Sequence, residues 1–373
     1  MTRRPHVALV HDHFTGPTGM GLVTEHHAEW ALDAGWSVTV VGDNVPAWLM
    51  ARARVVAVLK PSGLPALPEH LVWCARARRA LRAVDADVVH VHSPLLSDRA
   101  DLLTSHFLAQ PAHALGVREA ATGADRLLRT AQGELTRRLD DRLYRRRRAQ
   151  GAAISFVSEF LRDEYAKHYG KPVGGWILPP PGPPWRPFGA GEREAARARA
   201  GVVRDAIVAG YVGGNDPRKG HPHLAQLEGE PGIELLLAGP GSEQMRFGGR
   251  PGQGFVDVDA LYGACDVVVA PAVFDSAPVA VLQAVARGVP VVVSRGSGWA
   301  SAVERHRAGV VWDGGQPLAA AVVAAAACER AGCERLTAEF SPARQRQRLL
   351  DIYAAILHTK RVTASEGSDI RPL

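Results

Sequence analysis

The chain has 373 residues, about twice the common domain size, and its 46% hydrophobic and 22% charged content suits two soluble domains with full cores. No apolar run approaches the roughly 20 residues needed to cross a bilayer, and the run at 7–10 is too short for a signal-peptide core. The formal charge of +6 rests on arginine and favours anionic partners such as nucleotide phosphates, whereas no aromatic-interleaved basic stripe points to nucleic acid.

Short β-branched runs alternate with Ala/Leu/Arg-rich helical stretches, the pattern of parallel α/β layers. In chain order, 6–10 predicts a strand, 23–34 a helix, 37–41 a strand and 69–83 a helix; strands follow at 87–91, 102–105 and 152–157. The segment 174–189 breaks this rhythm. Its prolines at 179–181, 183 and 184 fix φ and lack N–H donors, which forbids helix or central strand and marks a linker. Strands resume at 207–212, 233–238, 266–270, 289–293 and 310–312, with a helix over 278–287. A last helical pattern, 342–357, follows Ser341 at the N-cap place, and the polar tail 359–373 is expected to be mobile. The expected fold is α/β, with two Rossmann-like lobes facing across a cleft: an acceptor-binding lobe over 1–180 and a nucleotide-sugar-binding lobe over 181–340. The helix at 341–358 then packs back toward the first lobe.

Open parallel sheets bind ligands beyond the carboxyl ends of their strands, so the residues to weigh follow strands. The first strand leads into His11-Asp12-His13-Phe14 and then Gly16, Gly19 and Gly21, where backbone N–H groups at a helix start can approach an anion. Asp43 stands where a dinucleotide fold places its ribose-binding acid, but Thr24 holds the place of the third glycine, which disfavours NAD. His106 follows the strand 102–105 and is placed to hydrogen-bond a sugar hydroxyl, while His90 and His92 read as supporting groups. Neither a metal nor a cofactor is expected. Cys74, Cys265, Cys328 and Cys333 lack CxxC spacing, which suits reduced thiols and a cytoplasmic location.

The second lobe opens with Gly213-Gly214-Asn215-Asp216-Pro217-Arg218-Lys219-Gly220. A diphosphate leaving group gains negative charge as its bond to the sugar breaks, and cations fixed beside it lower the barrier. Arg218 offers a planar fork and Lys219 a compact charge. Further on, a buried strand delivers Asp275 on a loop, a helix carries Gln283, and Gly288-Val289-Pro290 ends it.

These stretches resemble the donor lobe of GT-B glycosyltransferases of family 4, the retaining, glycogen-synthase-like group. The resemblance is carried by Val212-Gly213, Pro217, Arg218-Lys219-Gly220, and then Pro271, Asp275, Gln283-Ala284, Ala286, Gly288 and Pro290-Val291. It implies a nucleotide-diphosphate sugar, UDP- or GDP-linked, as co-substrate and retaining, metal-independent transfer to a sugar, lipid-linked or small-molecule acceptor in bacterial glycan, glycolipid or metabolite synthesis. It further implies that His106, Asp275, Arg218 and Lys219 act at the reacting centre. The donor would contact Gly19, Gly21, Gly213, Gly214, Arg218, Lys219, Ser276, Ala277, Pro278, Val279 and Gln283. Asp275 and Gln283 replace the two glutamates of the family, and Gly214 stands where many members place an arginine. These departures motivate an alternative, a catalytically silent sugar-nucleotide-binding subunit; an epimerase or NAD-linked enzyme is a further one. Arg76, Arg78, Arg79, Arg82 and the run 145–148 suggest peripheral contact with an anionic membrane surface.

Overall fold

The computed structural model describes residues 3–14, 19–114, 124–247, 249–254 and 257–368. Among these, the first lobe is built on β1 (His6–His11), β2 (Ser37–Gly42), β3 (Arg54–Ala57), β4 (Val88–Val91), β5 (Leu102–Ser105), β6 (Ala153–Phe156) and β7 (Gly174–Ile177). They form one parallel sheet in the order β3-β2-β1-β4-β5-β6-β7. The second lobe contains β8 (Ile207–Val212), β9 (Ile233–Ala238), the two-residue hairpin strands β10 (Arg246–Phe247) and β11 (Arg250–Pro251), β12 (Val267–Ala270), β13 (Val291–Ser294) and β14 (Gly309–Trp312). Its parallel sheet runs β14-β13-β12-β8-β9.

The near-continuous apolar runs make central strands because both faces of each sheet are covered. In β1, Ala8 and Val10 pack with Trp73 and Tyr144 on one face, while Val7 and Leu9 pack with Ile352 and Tyr353 on the other. In the second sheet, Val208, Val268 and Val291 face Leu261 and Val281, whereas Ala209, Val267 and Val292 face Leu224 and Val322.

Two differences from the sequence expectation have physical causes. Residues 174–177, read as the start of the linker, form the edge strand β7, and Leu178 still donates its N–H to the Phe156 carbonyl at 2.8 Å. The prolines confine the linker to residues 179–189, where Gly182 donates to Phe340 and Arg186 to Ala286. The tail is the second difference. One helix runs Pro342–Ser368, anchored where Lys360 meets Asp101 at 2.8 Å and donates to the Asp87 carbonyl at 2.9 Å; residues 369–373 lie outside the described ones. This helix inserts Leu349, Ile352, Tyr353 and Ile356 into the first lobe's core, and Tyr353 hydrogen-bonds His90 at 2.8 Å.

Candidate active site

Residues just beyond the ends of β5, β6, β8, β9 and β12 line one cleft of about 910 Å³ between the lobes. Gly19, His106, Gly213, Arg218, Lys219, Asp275, Gln283 and the segment 276–279 all line it. Gly19 opens the helix Gly19–Asp33, and a methyl group there would come within 3.2 Å of Val279 across the cleft. Two residues named from sequence do not reach the cavity. Gly21 is buried inside that helix, its carbonyl accepting the Thr24 hydroxyl. Gly214 turns the backbone at φ +64°, where any side chain would overlap the Pro240 carbonyl. Of the first turn, residues 16–18 lie outside the described ones.

The cationic turn and the acid-bearing loop are knitted by backbone. The Arg218 carbonyl accepts the N–H groups of Val273 at 2.8 Å and Phe274 at 3.4 Å. On its other side the loop is held by the segment 294–298: Asp275 donates to Gly296 at 2.9 Å, and Gly298 donates to Asp275 at 2.8 Å. Trp299 fixes the next turn through its indole N–H to the Pro278 carbonyl at 2.9 Å. The Ser276 hydroxyl, on the same loop, is buried without a hydrogen-bond partner among the described residues.

Lys219 and Arg218 differ sharply. Two nitrogens of the Arg218 guanidinium bond Asp216, the shortest contact being 2.7 Å, and the group lies 5.8 Å from the Phe107 ring centre. Burial of the Asp216 carboxyl opposes ionisation, yet the bonds to Arg218 hold it below its ordinary pKa. Lys219 instead folds its stem over Gly213, and its ammonium makes no ion pair among the described residues. Burial pushes the Asp275 carboxyl above the usual range, opposed by Lys219, the Ala277 N–H and Arg218. The Gln283 side-chain oxygen accepts the Tyr262 hydroxyl at 3.3 Å.

On the first-lobe side, His106 Nε2 meets His92 Nδ1 at 2.8 Å, and His90 bonds Tyr353 and Thr104. Burial, with a smaller effect of His11, pushes His106 down to about 3, so it faces the cleft as a neutral imidazole. His92 therefore supports His106 directly. Ring nitrogens of His27, His90 and His92 lie within 4.8 Å of one another, but both His90 nitrogens are already hydrogen-bonded and its ring stacks on the other two. Asp43 accepts the N–H groups of Asn44 and Lys60 and serves as a turn acid. Sequence reasoning missed Phe107 and Phe274, whose only signal was adjacency to His106 and Asp275.

Comparison with known proteins agrees with this architecture. Residues 17–175 match glycosyltransferase family 4, and residues 207–328 match glycosyl transferases group 1. The chain is 32% identical over 225 residues to D-inositol 3-phosphate glycosyltransferase of Geodermatophilus obscurus, covering 50% of this chain and 49% of that one. The corresponding enzyme of Saccharomonospora viridis is 30% identical over 223 residues, covering 50% and 51%. The chain thus spans about half the length of these curated relatives. Sucrose-phosphate synthase from Thermosynechococcus elongatus superposes with a TM-score of 0.71 at 18% identity, covering 95% of this chain and 100% of that one. Anabaena HepE, solved with UDP-glucose, gives 0.66 at 14% identity, covering 94% and 99%; such identities establish a shared fold. With one family match on each lobe and this two-lobed parallel architecture, the chain belongs to the GT-B glycosyltransferases of family 4.

Proposed function

We propose that the protein transfers a sugar from a nucleoside diphosphate to a hydroxyl-bearing acceptor bound on the first-lobe side of the cleft. The observation that carries this reading is Lys219, a lysine without an ion pair among the described residues, which shares the cleft with the Asp275 carboxyl. A diphosphate against the 213–219 turn neutralises Lys219, and the sugar then extends toward Asp275 and the unpartnered Ser276 hydroxyl. Neutral His106 contacts a sugar hydroxyl from the opposite wall. The acceptor oxygen attacks the anomeric carbon on the face from which the diphosphate departs. The carbon–oxygen bond to phosphate breaks as the new glycosidic bond forms, and the leaving phosphate oxygen takes the acceptor's proton. Retention follows, with no metal or protein nucleophile, and fixed charge and proximity supply the rate.

A UDP-sugar is the favoured donor, supported by the ligand of the Anabaena structure, with a GDP-sugar the other candidate. The names of the curated relatives support transfer to a polyol acceptor in a bacterial pathway. A thermal-shift screen with UDP-, GDP-, ADP- and TDP-sugars identifies the donor, since a ligand of the folded state raises the melting temperature. NMR of the product then assigns its anomeric configuration. An inverted product, or no shift with any nucleotide sugar, overturns the reading; a shift without transfer leaves the silent binding subunit.

The protein is proposed to act in the cytoplasm, in peripheral contact with anionic lipid. No helix among the described residues is long and apolar enough to cross a membrane. Arg76 and Arg79 are exposed on the helix Ala66–Leu81 beside exposed Leu71 and Val72, a combination that docks on headgroups. The run at 145–148 contributes less than its sequence suggests, because Arg147 is buried against the Ala100 and Ala153 carbonyls and Arg145 pairs with Asp141. Co-sedimentation with anionic vesicles that disappears in high salt is the expected result.

A further inference from the structure

A second cavity of about 280 Å³ lies within the first lobe and meets the cleft at Met20, His106 and Phe107. One wall is the helix Ala124–Ala149, which presents Thr136, Asp140 and Tyr144 at successive turns of one face. The facing wall is Leu67, His70 and Trp73 of the helix Ala66–Leu81, and Asp12 stands at the end near β1. A ring bound here has apolar side chains against its faces and His106 at its exit toward the donor.

The charges of this cavity are unevenly paired. Asp12 is met by Lys60 at 2.7 Å, with His70 at 3.7 Å, and the other nitrogen of His70 lies 3.0 Å from the Ser93 hydroxyl. Lys60 also reaches Glu69 at 3.5 Å. These cations are spent on carboxylates of the protein. Among the described residues no arginine or lysine lines the cavity. Asp140 is the exception to the pairing: its carboxyl is half-buried, accepts the Ala109 N–H, and has no ion pair among the described residues. Burial pushes it up to about 7, opposed by that N–H and by His70. Desolvating a carboxylate without an ion pair is costly, and a bound cation offsets the cost.

We propose that this cavity is the acceptor subsite and that Asp140 selects an acceptor carrying an amino group, of the amino-sugar or aminocyclitol class. The inference rests on the proposed function and names its acceptor. An ammonium on the acceptor pairs with Asp140 while a hydroxyl of the same ring points past His106 to the anomeric carbon. Among the described residues, a phosphorylated or carboxylated acceptor meets Asp12 and Asp140 with no unspent cation to offset them.

Calorimetric titration of the full chain, in the presence of UDP, tests this with two matched series. These are glucosamine, glucose and glucose 6-phosphate, and scyllo-inosamine, scyllo-inositol and myo-inositol 1-phosphate. The expected result is that the amine binds at least tenfold tighter than its hydroxyl counterpart in one series, with no phosphate ester bound. Asp140→Asn, checked for an unchanged melting temperature, should erase the preference, and Asp140→Glu should restore part of it. Equal or tighter binding of the neutral or phosphorylated compound in both series, no binding of either amine, or a preference that survives Asp140→Asn overturns the inference. A separate titration with UDP-glucose reads the donor site, so its failure is distinguishable from failure here.

Discussion

Phe274 of the second lobe stands edge-on to Phe107 of the first, with ring centres 5.4 Å apart. Its backbone belongs to the loop that carries Asp275, whereas its side chain is buried in the first lobe's core, also against Phe160 at 5.3 Å. The loop is therefore fixed from both sides of the cleft. Phe274→Ala should cost about 3–5 kcal/mol of stability, the range for truncating a buried phenylalanine. It should also weaken donor binding, because Asp275 and Ser276 lose their support. Thermal melts and nucleotide-sugar titration on the same variant check both outcomes.

The adjacent cations are not equivalent. Lys219→Ala should lower kcat/KM about a hundredfold or more, the scale for losing one fixed charge-stabilising group. Arg218→Ala should cost less than tenfold, since Asp216 already takes much of that charge. Steady-state kinetics with the identified donor decides; equal losses would show that Arg218 leaves Asp216 when the donor binds.

Asp275 accepts hydrogen bonds from sugar hydroxyls most strongly when ionised, and its carboxyl is pushed above the ordinary aspartate range, chiefly by burial. Activity should therefore fall on the acid side at a pH above that of an exposed aspartate. Asp275→Asn should lower kcat and abolish that limb. The pH profile of kcat/KM reads both effects.

Gly298 packs so closely on the loop that a methyl group would overlap the Ser276 carbonyl and crowd the Ser158 hydroxyl. Gly298→Ala should cost about 1–3 kcal/mol, the usual scale of overpacking. The displacement falls on the loop at Ser276, so the donor KM should rise by more than a remote destabilisation of equal size would produce. A neutral surface control with a matched melting temperature isolates the effect.

The buried imidazoles set an acid limit on stability. His11, His27, His90, His92 and His106 are all pushed below their ordinary pKa, in each case chiefly by burial, with His90 and His106 down to about 3. The unfolded chain takes up these protons near pH 6.5, whereas the folded chain takes them up only at lower pH, near 3 for His90 and His106. Between those values the unfolded state binds more protons, so stability falls as pH falls. His70 acts on the other side. Burial opposes its charge, but the bond to Asp12 raises it to about 10, so its contribution is present below pH 6.5 and lost as pH rises through 10. The melting temperature should drop steeply from pH 7 to 5. His27, with both ring nitrogens unpartnered among the described residues, is the weakest member, and His27→Leu should raise stability and flatten that slope.

Much of the site was legible because open parallel sheets put ligands at strand ends, and strand ends are visible as breaks in apolar runs. That rule alone brought His106, Lys219 and Asp275 into one cleft from places far apart in the chain. The failures came from side-chain direction and long-range packing. Gly21 lies two residues past Gly19 on a helix, far enough round the axis to be buried. The pairing of Arg218 with Asp216 depends on rotamers, and both an exposed and a paired arginine read alike in sequence. Asp140 carried no signal in the sequence reading; only the approach of the helix Ala66–Leu81 made it part of the wall of a cavity. The tail looked unpatterned because its anchor, Lys360 to Asp101, spans most of the chain.

The closing helix bears on how the molecule is made. Tyr353 and Ile356 complete the face of the first sheet, beside strands synthesised hundreds of residues earlier. Domains emerging from a ribosome tend to fold in order of appearance, but this amino-terminal half has to wait for the carboxyl-terminal segment before its hydrophobic surface is sealed. Premature termination just before residue 349 should thus yield an aggregation-prone fragment rather than a functional half, although the missing residues do not line the cleft between the lobes.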